Sequence, residues 1–498
     1  MRCIPIKVKI VLYIIIILFD SNKDDFRHIR LIISDSLFSI NQFQTLSRVF
    51  LKDRIPPMNI SSDYQQALDY IYSFVDFSRT HQENLSPENF DLSRMERFME
   101  ILGSPQDDFP SLHVAGSKGK GSVSAFCSSV LQTAGYKVGL YTSPHLRDFE
   151  ERMQVDRIPI PRDMLVEYVQ EIKPAVASVP ELTTFEIMTG LAFLFFAREN
   201  VDLAVIEVGL GGRLDATNII TPEVSVITSL YLDHVSILGD TLDKIAMEKG
   251  GIIKPGVPVI CAPQQDLALS VIKEIAARNK SELIQAELDY PFEILSKTLD
   301  GQSFRLERSG QVEEFQIPLL GEFQVINAVT AYAALDTLRT KSFKIDNSAL
   351  FTGFKEVDWP ARFEVLRRQP PLIVDSAHNP ASMGKLRDTL DEYFPDLPLI
   401  LVFGISEDKQ LKGMYQEILP RTSHLICTKA DHPRAMDPVA LSKIADDYIC
   451  TREAIPNVGE ALAKALELAG SGKLVVVTGS IFVAASARIA WFEKLNDH

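Results

Sequence analysis

Ser111-Leu-His-Val-Ala-Gly-Ser-Lys-Gly-Lys-Gly-Ser-Val-Ser-Ala-Phe126 sets an apolar run of strand length, a glycine loop and the opening of a helical pattern in immediate succession. Ser111–Ala115 reads as a buried strand, and residues 122–134 read as a helix stopped by Gly135. In that order the three present converging backbone N–H groups and the positive end of a helix dipole, which suits a polyphosphate. Gly116, Gly119 and Gly121 allow close backbone approach, Lys120 offsets phosphate charge, and Ser122 starts the helix and reaches a magnesium ion. The spacing GxxGKGS is not the strict Walker form, because a glycine separates the lysine from the serine. On the generic motif alone an unspecialised surface turn stays open.

Outward from this stretch the α/β alternation continues. Val138–Thr142, Leu203–Ile206 and Val224–Thr228 are short apolar runs separated by helical or loop-like segments, as a mostly parallel sheet requires. Upstream, Tyr64, Ala67, Leu68, Ile71, Tyr72 and Val75 recur at helical spacing. Between Phe292 and Ile317 the pattern changes to short alternating segments divided by Asp300-Gly301 and Ser309-Gly310, which predicts antiparallel strands with tight turns. Trp359-Pro360 breaks the chain after a helix over residues 327–338. Beyond it the alternation restarts with Leu372–Val374, Leu399–Phe403, Leu425–Cys427 and Leu474–Thr478.

The 498 residues, 46% hydrophobic and 23% charged, suffice for two or three domains. A net charge of −15 argues against a general nucleic-acid binder, so any anion site must be local. Five widely spaced cysteines without a CxxC pair fit a reducing compartment and no zinc cluster. Near the N-terminus, Arg2, Lys7 and Lys9 precede the apolar run Ile10–Phe19 in imitation of a signal peptide. The run falls short of the roughly 20 residues of a membrane span, and Asp20–Asp25 stands where a cleavage site belongs. The expectation is an extension, disordered or translated upstream of a start at Met58.

Two further groups of residues bear chemistry. In Ile206-Glu-Val-Gly-Leu-Gly-Gly-Arg-Leu-Asp-Ala-Thr-Asn218 an acid ends an apolar strand, where wound sheets commonly place a ligand. Glu207 on Mg²⁺ is the functional reading, and an acid capped or paired beside Arg213 is the alternative. Thr142-Ser-Pro-His-Leu146 and Leu232-Asp-His-Val-Ser-Ile-Leu-Gly239 add hydroxyl and imidazole groups that singly read as turn chemistry and structural histidine. Lys249 by itself reads as a helix-end lysine before a glycine stop.

Taken together, HVAGSKGKGS, LYTSPHL, TTFEIMTG, IEVGLGGRLDATN, LDHVSILG with EKGGIIKPG, WPARFEV and VDSAHNP resemble the folylpolyglutamate synthase/dihydrofolate synthase family of the Mur ligase superfamily, from about Tyr64 to the C-terminus. The resemblance implies an N-terminal P-loop-type wound-sheet ATPase domain with a small antiparallel subsheet, and a smaller C-terminal Rossmann-like α/β domain. Expected boundaries are 1–57 for the extension, 58–357 for the ATP-binding domain, 358–369 for the linker and 370–498 for the C-terminal domain. It further implies a cytoplasmic, monomeric enzyme that couples ATP cleavage to amide formation between a folate and L-glutamate. The substrates implied are dihydropteroate and tetrahydrofolate or its polyglutamates, giving a bifunctional synthase. Another Mur-type amino-acid ligase and a P-loop regulatory ATPase are the alternatives.

Residue by residue, the resemblance assigns Gly119, Lys120, Gly121 and Ser122 to the phosphate loop of ATP. Ser143 and Glu207 match ligands of one magnesium ion and His234 a ligand of a second; Lys249 matches a carbamylated lysine. Asn327, Arg362 and Asp375 match nucleotide contacts, and Phe185, Glu186 and Asp215 lie in segments like the pterin-side pocket. His378 and Ser480 match positions linked to the incoming glutamate. Lys120, Lys249 and His378 are the candidate catalytic groups. The chain departs from the pattern at Ser117-Lys118, where Thr-Asn is common, and at Ser376, where glycine or alanine is common.

Overall fold

The computed structural model describes residues 62–76, 91–308 and 310–495. The expectation for residues 1–57 lies outside them. Strand β1 (Ser111–Ala115) is wholly buried, and so are β2 (Val138–Tyr141), β5 (Leu203–Glu207), β6 (Val224–Ile227) and β7 (Val259–Cys261). Burial on both faces explains why these runs are continuously apolar rather than alternating. With β3 (Met153–Val155), β4 (Ile158–Pro159) and β8 (Leu283–Gln285) they form an eight-stranded sheet in the order β4-β3-β2-β5-β1-β6-β7-β8. Only β3 and β4 pair antiparallel, at one edge. Because β1 lies between β5 and β6, the loops leaving its two neighbours diverge around the glycine loop. That crevice at the strand carboxyl ends is where open α/β sheets bind ligands.

The helix after β1 runs Lys120–Thr133, two residues earlier than the sequence pattern suggested, because Gly119 supplies a left-handed N-cap that no side chain has to satisfy. Ala134 and left-handed Gly135 end it as expected. Helix Glu322–Thr340 is buried along most of its length against this first helix and the sheet, which accounts for its alanine-rich composition. The turn read from Asp300-Gly301 joins β9 (Phe292–Thr298) to β10 (Gly301–Arg308), and Gly310 leads into β11 (Gln311–Ile317), in an antiparallel sheet ordered β11-β10-β9. Phe304 and Phe315 pack from it into the core around Tyr332.

The remaining strands are β12 (Glu364–Arg368), β13 (Pro371–Val374), β14 (Leu399–Phe403), β15 (Thr422–Lys429), β16 (Thr451–Asn457) and β17 (Leu474–Thr478). They form a six-stranded sheet ordered β12-β13-β17-β14-β15-β16, parallel except for β12. Separate apolar clusters built around Leu401 and Val402 cover its two faces. The fold is thus α/β, with a large wound sheet, a small antiparallel sheet and a second α/β body. Among the described residues no helix is long and apolar enough to cross a membrane, and Cys127, Cys261, Cys427 and Cys450 are free thiols.

Candidate active site

A cavity of about 750 Å³ lies between the carboxyl ends of the first sheet and the second α/β body. Every candidate residue named from the sequence lines it, from the glycine loop through Ser143, Phe185, Glu207, His234 and Lys249 to Arg362, His378 and Ser480. Two glycines shape the loop. A Cβ on Gly116 would stand 1.8 Å from Thr228 Oγ1, and one on Gly119, at φ +95°, would stand 2.3 Å from Asn327 Oδ1. Only glycine lets the loop pass between β6 and the helix bearing Asn327. The amides of Ser117 and Lys118 donate to the Ser229 carbonyl, tying the loop to the strand beside it.

Lys120 opens the helix, and its Nζ is 3.9 Å from Glu207 Oε1. Glu207 ends β5, is 5% exposed, and accepts from the Ser143 backbone amide at 3.2 Å. Burial raises its carboxyl pKa while Lys120 and Arg362 act in the other direction. The alternative placing of this acid beside Arg213 does not occur, since Arg213 pairs with Glu248 at 2.8 Å. Ser122 and Ser143 add hydroxyl oxygens to the same wall. Among the described residues no group of three or more His, Cys, Asp or Glu is arranged to hold a metal. One buried carboxylate with hydroxyl neighbours fits magnesium, which takes one or two carboxylates and completes its shell with phosphate oxygens and water.

Lys249 does lie in the last turn of helix Leu242–Gly250, but its amine is not solvated: the residue is 4% exposed. Burial, and then the nearby Lys120 charge, push its pKa down to about 7. The cause is packing of the glycine-rich loop on the helix end. A Cβ on Gly212 would stand 2.8 Å from the Lys249 carbonyl, and the Arg213 amide donates to the Glu248 carbonyl at 2.7 Å.

Several candidate side chains are engaged locally as well as lining the cavity. Glu186 closes a capping box on helix Thr184–Arg198 by accepting from the Thr183 amide at 2.7 Å, and it pairs with Arg94 at 3.3 Å. Asp215 accepts from the Leu210 and Thr217 amides, Asp375 from the Phe363 and Ala377 amides, and Ser480 caps its own helix through Val483. Phe185 lies against Gly209, where a Cβ would stand 2.3 Å from its ring tip. Arg362 donates to the Ser376 hydroxyl, which in turn donates to the Ala361 carbonyl at 3.0 Å. The serine at this departure therefore anchors the arginine.

The Mur ligase middle domain matches residues 114–335, and the Mur ligase glutamate ligase domain matches residues 361–481. A dihydrofolate synthase/folylpolyglutamate synthase of Bacillus subtilis is 35% identical over 410 residues, spanning 80% of this chain and 94% of that protein. The chain belongs to the dihydrofolate synthase/folylpolyglutamate synthase family of Mur ligases. Among solved structures, a Mycobacterium tuberculosis folylpolyglutamate synthase complexed with ADP and AMPPCP superposes with a TM-score of 0.76 at 33% identity, covering 81% of this chain and 96% of the other. An Escherichia coli FolC in complex with DHPP and ADP gives a TM-score of 0.76 at 27% identity, covering 86% and 98%.

In this Mur ligase chain the sequence reading overlooked a charged group deep in the cavity. Asp233, 9% exposed, receives Lys118 Nζ at 3.0 Å, Asn379 Nδ2 at 3.0 Å and Lys409 Nζ at 3.3 Å. Burial favours the neutral acid, yet Lys118 foremost, with the neighbouring imidazoles and Lys409, holds its carboxyl well below the usual range. Asp233 sits in the quoted LDHVSILG segment, but only its neighbour His234 attracted a role. Lys409, in Glu407-Asp-Lys-Gln410, carried no pattern at all.

Proposed function

We propose that this ATP-dependent ligase joins L-glutamate to folates, accepting both dihydropteroate and tetrahydrofolate or its polyglutamates. One observation carries the reading: a single cavity joins the glycine loop and the Lys120–Glu207 pair to Arg362, Lys249 and His378. A polyphosphate, a carboxylate and an amine can meet there between two α/β bodies. The similarity to synthases solved with ADP, and with DHPP, supports the same assignment.

A carboxylate is a poor acyl donor. Transfer of the γ-phosphoryl group to the folate carboxylate gives an acyl phosphate, and the glutamate amine then attacks the acyl carbon as phosphate leaves. Such transfers depend mainly on positioning and on offsetting charge. Loop amides at Gly119, Gly121 and Ser122, with Lys120 and Arg362, would cradle and neutralise the phosphates, while Asn327 and Asp375 would bound the nucleotide. Glu207 and Ser143 would hold one Mg²⁺ and His234 a second; magnesium supplies charge neutralisation on the phosphoryl oxygens. Lys249 would be carbamylated, which replaces a buried cation near the phosphates by an anion. Phe185, Glu186 and Asp215 would face the pterin, and His378 and Ser480 the incoming glutamate. The free thiols agree with a cytoplasmic protein, and a monomer completes the site, since both bodies come from one chain.

Glutamate-dependent ADP release, measured with dihydropteroate and tetrahydrofolate supplied separately, tests the reading. Release with each substrate is expected. Turnover indifferent to glutamate would instead mark a regulatory ATPase, and activity with only one folate would remove bifunctionality.

A further inference from the structure

The Lys118 side chain leaves the glycine loop and crosses the cleft. Its Nζ donates to Asp233 Oδ2 at 3.0 Å and lies 2.7 Å from Nε2 of His378, which belongs to the second α/β body. On the far side of that ring, Nδ1 is 2.8 Å from the Ser376 carbonyl. A carbonyl oxygen only accepts, so Nδ1 carries the proton; an ammonium only donates, so Nε2 presents its lone pair. The two neighbours therefore select one neutral tautomer and fix the ring plane. Asp233 keeps Lys118 in place, and Asn379 and Lys409 hold Asp233 from the opposite body.

We propose that Lys118 is a positioning residue for amide formation, acting through His378 by fixing the tautomer and aim of the imidazole at the amino-acid end of the cavity. The proposal rests on the ligase reading above and adds to it a residue of the glycine loop with a task beyond phosphate binding. Nε2 has a single lone pair, which Lys118 engages, so an incoming amine donates to this ring nitrogen by taking the place of the Lys118 ammonium on a ring whose tautomer and plane are already set. The competing account makes Lys118 a strut that merely joins the two bodies through Asp233. Losing a strut lowers stability, and does so regardless of what stands at position 378.

Two measurements decide between them. In the full chain with ¹⁵N-labelled histidine, the His378 resonances, assigned by their loss in H378N, are expected to show protonated Nδ1 and unprotonated Nε2. K118M is expected to mix the two tautomers. A wild-type protein with protonated Nε2 as the sole neutral form overturns the proposal. In a double-mutant cycle, K118M alone is expected to lose at least about tenfold in kcat/KM for glutamate, with KM for ATP within about twofold; in the H378N background it should lose under about threefold. K118R, which keeps the donor and charge, should regain most of the loss. Equal losses in both backgrounds, or activity losses in K118M and K118N that only follow their falls in melting temperature, identify a strut and overturn the proposal. If the wild-type chain releases no glutamate-dependent ADP, the ligase reading fails, while the tautomer measurement still judges the Lys118–His378 contact.

Discussion

Lys249→Ala is expected to abolish ligation, and the size of the chemical advantage it removes can be worked from the burial of the amine. At pH 7.5 a lysine of ordinary pKa, 10.5, has about one amine in a thousand neutral. With the value pushed down to about 7, about three quarters of the Lys249 amines are neutral, a gain of nearly three orders of magnitude in the form that reacts with CO₂. The neutral nitrogen forms a bond to the carbon of CO₂, one proton leaves, and the side chain becomes an anion. The sign with pH follows directly: lowering pH protonates the amine and removes the nucleophile. From pH 8 to pH 6 the neutral fraction falls from about nine tenths to about one tenth, and the proton released in forming the carbamate pushes the same way. In ¹³C-bicarbonate, wild-type protein should therefore show a carbamate resonance that Lys249→Ala lacks, at least about ninefold stronger at pH 8 than at pH 6 for equal dissolved CO₂. Short carboxylic acids should restore part of the activity of Lys249→Ala by occupying the vacated space. Near-normal turnover of the variant together with no carbamate resonance in the wild type would refute the reasoning.

Lys120→Ala should lower ligation by more than about tenfold, or about 1.4 kcal/mol of transition-state stabilisation, with little change in melting temperature; a folded variant with near-normal turnover removes the loop lysine from the mechanism. Ser376→Gly deletes the hydroxyl that holds Arg362. Loss of one hydrogen bond to a charged group, about 1.5 kcal/mol, should raise KM for ATP by about tenfold, and steady-state kinetics with an unchanged KM would deny Arg362 a nucleotide role. His113 is fully buried in β1, with Nε2 against Thr217 Oγ1 at 2.8 Å, and burial pushes its pKa down to about 3. Its folded value lies below the unfolded one, so the unfolded chain binds the extra proton and stability falls as pH drops below 6.5. By pH 5 the difference amounts to about 2 kcal/mol, and denaturant titrations at pH 7 and pH 5 should show His113→Gln losing less than the wild type over that interval.

What the sequence disclosed was local. The strand, loop and helix around Gly116–Gly121 are contiguous, and the hairpins after Phe292 announce themselves through turn glycines, so both could be read from neighbours in the chain. Strand order could not be read. That β1 lies between β5 and β6 follows from crossovers whose helices bury against one another, and no short window contains that information. The same holds for Lys249, whose helix-end position is visible while its burial depends on a loop some forty residues earlier. It holds again for Asp233, whose partners Lys118 and Lys409 are separated from it by 115 and 176 residues.

Motif matching also merges two kinds of residue that the structure separates. Glu186, Asp215, Asp375 and Ser480 line the cavity, yet each is bonded to backbone amides that close a cap or a loop. Lys120, Glu207 and Lys249 have far fewer local bonds: a 3.9 Å ion pair joins the first two, and Glu207 takes a single amide. Removing a group that satisfies buried amides leaves donors unpaired, about 1–3 kcal/mol for each site, whereas truncating a lysine amine leaves no amide donor unpaired. Alanine at the four anchoring positions should accordingly lower the melting temperature along with activity. Alanine at Lys249 should lower activity with little change in melting temperature, and alanine at Lys120, whose pair with Glu207 is long at 3.9 Å, should lower the melting temperature less than the anchoring substitutions do. Thermal melts and turnover on the same preparations separate the groups, and an equal loss of stability across both would mean that the two lysines anchor the fold as the four capping residues do.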